Sequence, residues 1–489
     1  MLIRNVQLRD GIVDVRLRGE RVAAIGAHLP DDGEAGSLDA RGGALLPGLH
    51  DHHLHLFALA RAMDSATCGP PAVRDEKTLR RALANAPVRD GWIRGIGYHE
   101  QVAGPLTREV LDALSPAQPV RVQHRSGAAW FLNSRAIARL GLDAGVDAPG
   151  VVRGRGGRAT GALHGLDAWL REHLPDAAWP DLMPVGARLT AYGVTSVTDA
   201  TPANGAHELD ALAAAQARGA LPQEVLVMGR PELPEPSAPG LARGPLKILL
   251  RATALPDFDQ LAGQIAAAHA QERAVAIHCV TSTELVFAAC ALREAGPAPG
   301  DRVEHASIAS PAATGLLAEL GVTVVTQPNF LRERGDAYWR DVEPCERPWL
   351  YRCAGLLAAG VRLGGGTDAP FGDPDPWRAM QAAVDRRSEQ GAVLGAAEAI
   401  SPERALALFT SPARAPGAAP RSIVMGGRAD LCLLDRPWNR ARERLEADDV
   451  VATFVRGAIF QKHESAGARP RAGCQRARNE GQRVRQALP

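Results

Sequence analysis

His53 and His55 are the residues of this chain best placed to do chemistry, in the stretch Leu46-Pro47-Gly48-Leu49-His50-Asp51-His52-His53-Leu54-His55-Leu56. Side chains two residues apart on a strand point to one face. Two imidazoles on one face form half of a metal site. Four of the chain's 14 His fall within residues 50–55. A His-rich tract can equally be a solvated loop or an incidental metal binder, so the reading depends on what else converges there. Four further residues qualify: Lys247 in Pro245-Leu246-Lys247-Ile248-Leu249, His278 after Ala274-Val275-Ala276-Ile277, His305 after Arg302-Val303-Glu304, and Asp368 after Leu363-Gly364-Gly365-Gly366-Thr367. Each has a plainer reading on its own. A lone His after an apolar run is usually a partly buried, satisfied histidine, Asp368 could cap a turn or helix, and Lys247 could reach solvent along an apolar stem. Their conjunction on strand ends is what points to a metal-dependent site.

The elements that must position them follow from hydrophobic patterning. Apolar runs at 44–49, 120–123, 194–198, 246–250, 274–277, 302–304, 322–325 and 362–363 alternate with helical patterns such as 257–271, 282–295 and 311–320. Residues 92–97 compete with 120–123 for the second strand. Eight strand–helix units predict an α/β fold, a (β/α)8 TIM barrel, whose functional residues lie at the C-terminal strand ends. Separations of 31 (247 to 278), 27 (278 to 305) and 63 residues (305 to 368) fit successive strands of one barrel, the last spanning two units. Short strands at both chain ends (2–8, 12–17, 21–25; 422–425, 429–434, 449–455, 458–461) predict a small flanking β-domain built from 1–43 plus 422–462. The barrel would span 44–421. Residues about 64–185 exceed one crossover and predict an inserted subdomain, while 464–489, with six Arg and few apolar residues, predict a disordered tail.

Composition narrows the class. At 489 residues, 46% hydrophobic and 23% charged, the chain suits a soluble globular enzyme. A net charge of +1 points to neither nucleic acid nor an anionic membrane as partner. No long apolar run predicts a membrane span, and the N-terminal residues read as a strand rather than a signal peptide. The seven Cys are scattered without a C-x-x-C pair, which fits a reducing cytoplasm. Only three of the 56 basic residues are Lys (Lys77, Lys247 and Lys462), so a Lys inside an apolar segment calls for a reason.

With these residues in view, the chain resembles the amidohydrolase superfamily, and within it the amidohydrolase 3 group that includes N-substituted formamide deformylase-like enzymes. The resemblance runs from about residue 1 to 462. It rests on Pro47-Gly48-x-x-Asp51-x-His53-x-His55, Gly91-Trp92-Ile93-x-Gly95-x-Gly97, Leu132-Asn133-Ser134-Arg135-Ala136-Ile137, Tyr192-Gly193-Val194-Thr195-Ser196-Val197-x-Asp199, Gln327-Pro328, Asp368 and Gly427-Arg428-Ala429-Asp430-Leu431. The resemblance implies a barrel with a flanking β-domain and one or two divalent ions, zinc foremost. It implies that His53 and His55 bind the more buried ion with Asp368 close by, and that His278 and His305 bind the second. Lys247 matches a bridging lysine, which CO2 carboxylates because an ammonium has no acceptor for a cation. Two departures concern the substrate region: Ser126-Gly127-Ala128 stands where the group often has Ser-Gly-His, and Leu250-Arg251-Ala252 replaces an Asp-Gly.

The implied reaction is hydrolysis of a small amide, formamide or imide by metal-activated water, with Asp368 carrying the proton from water to leaving amine. Gln327, Tyr98 and His99 are the candidate substrate contacts. Deamination or C–O hydrolysis on the same barrel, and a non-catalytic binding relative, are the alternatives. A small molecule is the expected partner, and a homodimer the candidate assembly.

Overall fold

The computed structural model describes residues 1–8, 11–31, 36–70, 72–115, 117–146, 148–174 and 179–461; the expected C-terminal tail lies outside them. Eight parallel strands follow one another around a single sheet: β1 (Leu49–Leu54), β2 (Val194–Asp199), β3 (Glu224–Gly229), β4 (Leu241–Leu249), β5 (Val275–Cys279), β6 (Arg302–His305), β7 (Thr323–Thr326) and β8 (Leu363–Gly365). Closure between β8 and β1 comes from Asp368 N–H donating to the His53 carbonyl at 2.7 Å and His55 N–H donating to the Ala369 carbonyl at 2.8 Å. Helices Ala206–Ala217, Phe258–His269, Ser282–Ala295 and Pro311–Leu320 fill four of the crossovers. Their starts are legible locally. Thr281, for instance, accepts from Glu284 N–H while the Glu284 carboxylate returns to Thr281 N–H, a capping box. The main core packs the outer faces of the strands against these helices, among them Val197, Val227, Ile277, Val303 and Val324 with Leu212, Ile265, Leu285 and Leu317.

Three expectations are corrected. First, β1 is not the apolar run at 44–49. Leu45–Pro47 instead pairs antiparallel with Leu431–Leu434, and the chain turns at Gly48 into the barrel. Gly48 is required because a Cβ there would lie 2.2 Å from Thr195 Cγ2. The barrel strand is the polar Leu49–Leu54, buried throughout because its polar groups find partners inside. Second, neither 120–123 nor 92–97 is a barrel strand. Val120–His124 and Trp92–Tyr98 lie side by side in a separate sheet, and the third barrel position belongs to β3, an apolar run the sequence reading passed over. Third, 422–425 forms no strand. The chain just beyond it meets residues 20–22 at an isolated bridge between Arg21 and Arg428, where Val22 exchanges backbone bonds with Gly426 and Gly427 and Ala429 N–H donates to the Glu20 carbonyl.

The separate sheet joins Val151–Arg153, Ala159–His164, Ala129–Leu132, Val120–His124, Trp92–Tyr98 and Ala66–Thr67, all inserted between β1 and β2. It has its own core on two faces, Leu79, Leu111 and Val122 on one and Trp92, Ile137 and Leu163 on the other. The two ends of the chain meet in two four-stranded sheets that share Ile3, Val15, Leu431 and Phe454. Among the described residues, no helix is long and apolar enough to cross a membrane.

Close packing at the β8–β1 seam sets the first prediction. A Cβ on Gly366 would lie 2.7 Å from His53 Cβ and 2.8 Å from the His53 nitrogen, atoms that cannot move without breaking closure. Gly366→Ala is expected to cost about 1–3 kcal/mol and to lower Tm in calorimetry, with metal retention falling in parallel. A wild-type Tm would show that the seam yields.

Candidate metal centre

His53 ends the inward-facing part of β1. His55, two residues on, is still extended (φ −131°, ψ 94°) and caps the helix Leu56–Met63. The loop after β8 brings Asp368 back to both. Asp368 Oδ1 lies 3.4 Å from His53 Nε2 and 3.2 Å from His55 Nε2. One ligand atom from each of the three falls within 4.8 Å of the others, a group able to hold a metal ion. Asp51 organises this corner. Its carboxylate accepts from His53 N–H (3.0 Å), Thr367 N–H (3.1 Å) and Thr367 Oγ1–H (2.5 Å), tying β1 to the residue before Asp368. Burial raises the Asp51 pKa to about 7, against the pull of those donors.

Three of the four imidazoles, those of His53, His55 and His305, are oriented by a bond on the far nitrogen, the usual arrangement around a ligated His. His53 Nδ1 makes a short bond to Glu304 Oε2, which leaves Nε2 facing Asp368. His55 Nδ1 meets Thr201 Oγ1 at 2.9 Å, and Thr201 N–H is held by Asp199 at the end of β2. His305 Nδ1 meets Gln327 Oε1 at 2.7 Å, so its Nε2 carries the lone pair and lies 2.9 Å from His278 Nδ1. Two nitrogens on one tetrahedral zinc, with bonds near 2.05 Å, sit about 3.3 Å apart, close to this spacing. Burial drives the pKa values of His53 and His305 well below normal, and that of His278 to about 3, with the Lys247 charge adding to the effect. These three imidazoles are therefore neutral, as ligands must be. Backbone geometry serves the same end: His305 (φ 71°) and Asp368 (φ 56°) adopt the left-handed region that non-glycine residues seldom enter.

Lys247 rises from β4 into the same space. It is 6% exposed and its Nζ has no hydrogen-bond partner among the described residues. Burial lowers its pKa to about 8, against the raising influence of Glu304. A buried, partnerless amine is costly, and beside two pairs of metal-type ligands it fits a group completed by something bound. The donor set of imidazole nitrogens and carboxylate oxygens suits a divalent ion of zinc type.

The other sequence candidates fall elsewhere. Gln327 is fully buried and fixes His305, so it acts on a ligand rather than on substrate. Tyr98 is fully buried in the inserted sheet and donates its hydroxyl to the Gly104 carbonyl at 2.5 Å, spending its only polar group there. Its stem was legible as a strand end, but not which face it presents. His99 stacks against His124 at 6.0 Å on the insertion. Both ring nitrogens of His50 are met by Ser196 and Thr198, and His52 Nε2 by Ser411, while His52 Nδ1 has no partner among the described residues. Sequence reasoning missed Glu304 and Arg302. Arg302 Nε donates to Glu304 Oε1 at 2.5 Å and its Nη2 to the His52 carbonyl at 3.0 Å, both side chains fully buried. Two opposite charges inside a parallel strand, where apolar runs are the norm, were the available signal.

A closed parallel barrel with these ligands at its C-terminal rim defines an enzyme of the metal-dependent hydrolase class. Residues 37–461 match the model of the amidohydrolase family, and the chain belongs to that family. It is 29% identical to N-substituted formamide deformylase of Arthrobacter pascens, over 95% of this chain and 98% of that protein. A metal-dependent hydrolase from Pyrococcus horikoshii superposes with a TM-score of 0.70 at 20% identity, covering 89% of this chain and 97% of the other. N-isopropylammelide isopropylaminohydrolase from Burkholderia multivorans gives 0.53 at 20% identity, covering 94% and 97%.

The Glu304 bond to His53 yields a prediction. Second-sphere carboxylates of this kind are worth about 10–100-fold in metal affinity. Glu304→Gln is expected to weaken metal binding by that factor in a chelator competition. Unchanged affinity would show that the bond is structural only.

Proposed function

We propose that this enzyme hydrolyses a C–N bond other than a peptide bond, in a small amide, formamide or imide. The observation that carries the reading is the convergence of His53, His55 and Asp368 with the His278–His305 pair and the partnerless amine of Lys247. The likeness along nearly the whole length of a formamide deformylase supports the choice of bond.

In this reading His53, His55 and Asp368 hold one divalent ion and His278 and His305 a second, zinc being the ion the donors suit best. Lys247, once carboxylated by CO2, would supply oxygen ligands to them: its neutral amine would add to the CO2 carbon and lose a proton, giving a carbamate whose single negative charge is shared by two oxygens, where the bare ammonium has no acceptor. Bound divalent ions would polarise the substrate carbonyl and bring the pKa of a coordinated water to about 7. Asp368 accepts the proton of the attacking water and returns it to the nitrogen that leaves. Its left-handed backbone and its bond to the His53 carbonyl hold the carboxylate at the rim for this. Glu304 and Gln327 accept from His53 and His305 Nδ1–H and so fix their tautomers, and Thr201 holds the orientation of the His55 ring. Six free cysteines among the described residues accord with a reducing cytoplasm as its location.

Chelation should abolish turnover of N-alkyl formamides and added Zn2+ should restore it; a metal-free preparation with full activity would overturn the reading. Asp368→Asn keeps the size and removes the base, so turnover should fall about 10²–10⁴-fold while elemental analysis still finds most of the metal. Near-normal turnover in that variant would mean a different base. Lys247→Ala should lose one metal equivalent and regain part of its activity with added short carboxylates, whereas full metal content would exclude a bridging role.

A further inference from the structure

The helix Asn329–Asp341 leaves the C-terminal rim directly after β7, with Asn329, Phe330 and Leu331 buried. One turn on, the Arg334 guanidinium lies 3.9 Å above the Phe330 ring, and its Nη2 donates to the Phe371 carbonyl at 2.6 Å. Phe371 belongs to the tight turn that carries Asp368: its N–H bonds the Asp368 carbonyl at 2.8 Å, and its ring meets the edge of His55 at 5.6 Å. Arg334 is therefore fixed to the same loop as the proton-carrying carboxylate. Its Nε and Nη1 make no hydrogen bond or ion pair among the described residues, and neither is sealed from water.

The inserted sheet meets this ring from the other side. A Cβ on Gly127 would lie 2.6 Å from Phe371 Cε1, so the turn after Val120–His124 closes on the rim at that point. Arg125 in this turn is half-buried, and its side chain makes no hydrogen bond or ion pair among the described residues. Arg125 and Arg334 are within electrostatic reach of each other. Asp368 and Glu333 lie within electrostatic reach of Arg334, and Glu100 and Asp341 within reach of Arg125, but among the described residues none forms an ion pair with either guanidinium. Glu100 is engaged by His124 at 3.3 Å, Glu333 accepts from Asn329 and from the Asp373 backbone, and Asp341 is exposed two turns further along the helix. Two guanidiniums brought to one place beside the rim, each with N–H donors unspent among the described residues, offer a site to an anion. The planar fork of donors matches a carboxylate in particular.

We propose that the substrate carries a carboxylate near the scissile nitrogen, and that Arg334, fixed on Phe330 and Phe371, receives it with Arg125 closing from the insertion. The substrate class is then a small N-acylated amino acid or similar anionic amide. This rests on the C–N hydrolysis proposed above and goes beyond it. The insertion supplies one wall of the pocket, and a guanidinium that stays charged at any working pH orients the substrate without taking part in proton transfer.

The test compares N-formylglycine with its neutral isostere N-formylglycinamide on the metal-loaded enzyme, by steady-state kinetics and by equilibrium binding. Wild type is expected to favour the anion by about 10- to 100-fold in kcat/KM, mostly through KM, as for a hydrogen bond to a charged group. Arg334→Gln should erase that preference and weaken N-formylglycine binding by a similar factor. Arg334→Lys should recover part of it, and Arg125→Gln, which breaks no side-chain bond among the described residues, should reduce it with the fold intact. Equal handling of the pair by wild type, a preference that survives both Gln variants, or no saturable binding of N-formylglycine would overturn the proposal. Saturable, Arg334-dependent binding with no turnover of either compound would uphold the carboxylate site and overturn the hydrolysis reading. Turnover of the neutral amide alone would do the reverse.

Discussion

The hydrogen bonds that close the barrel between β8 and β1 are the constraint on which the site depends. Asp368 N–H to the His53 carbonyl and His55 N–H to the Ala369 carbonyl join the two ends of the eight-stranded sheet at the point where the ligands sit. Asp51 holds both sides from within, through His53 and Thr367. Gly366 permits the approach because any side chain would strike His53. The same bonds that complete the fold set the Asp368 carboxylate against the two imidazoles. Folding and site assembly are one event, since residues more than three hundred positions apart meet only when the sheet closes.

Burial sets the chemistry of the assembled site. Desolvation keeps His53, His278 and His305 neutral and takes the Lys247 amine to a pKa of about 8. None of these groups would be poised in this way in water. The compensating charges are inside the barrel. Glu304 is shared between His53 and Arg302, and Arg302 also bonds the backbone of β1. A buried pair of this kind adds little net stability, but it fixes which imidazole nitrogen faces the ion. The cost of desolvating the ligands is thus met by a network that also aims them.

The insertion between β1 and β2 adds a layer that the barrel alone lacks. Its sheet has an apolar cluster on each face, and its turn at Gly127 touches Phe371, which itself lies against His55. The candidate metal ligands come from the barrel, and the turn that touches Phe371 comes from the insertion.

Much of this was legible in the residues. His53, His55, His278, His305 and Asp368 stand at strand ends because a parallel barrel strand is a short apolar run and the residue after it reaches the rim. The order of most strands follows from that rule. Where local patterning failed, it failed for a reason. Leu49–Leu54 is a barrel strand made of polar residues, visible only when Ser196, Thr198, Thr367 and Glu304 are in place to satisfy it. Val120–His124 and Trp92–Tyr98 have the composition of barrel strands, and no local signal says which sheet they join. Gln327 and Tyr98 read as candidate substrate contacts, yet both are buried and bonded to His305 and Gly104. The sequence by itself determined the ligand types, their spacing along the chain and the architecture able to gather them. The tertiary structure alone decided the tautomers, the pairing of Glu304 with His53, the partnerless burial of Lys247 and the meeting of Arg334 with Arg125. Those depend on contacts between residues far apart in the chain, whose distances and desolvation exist only once the barrel has closed.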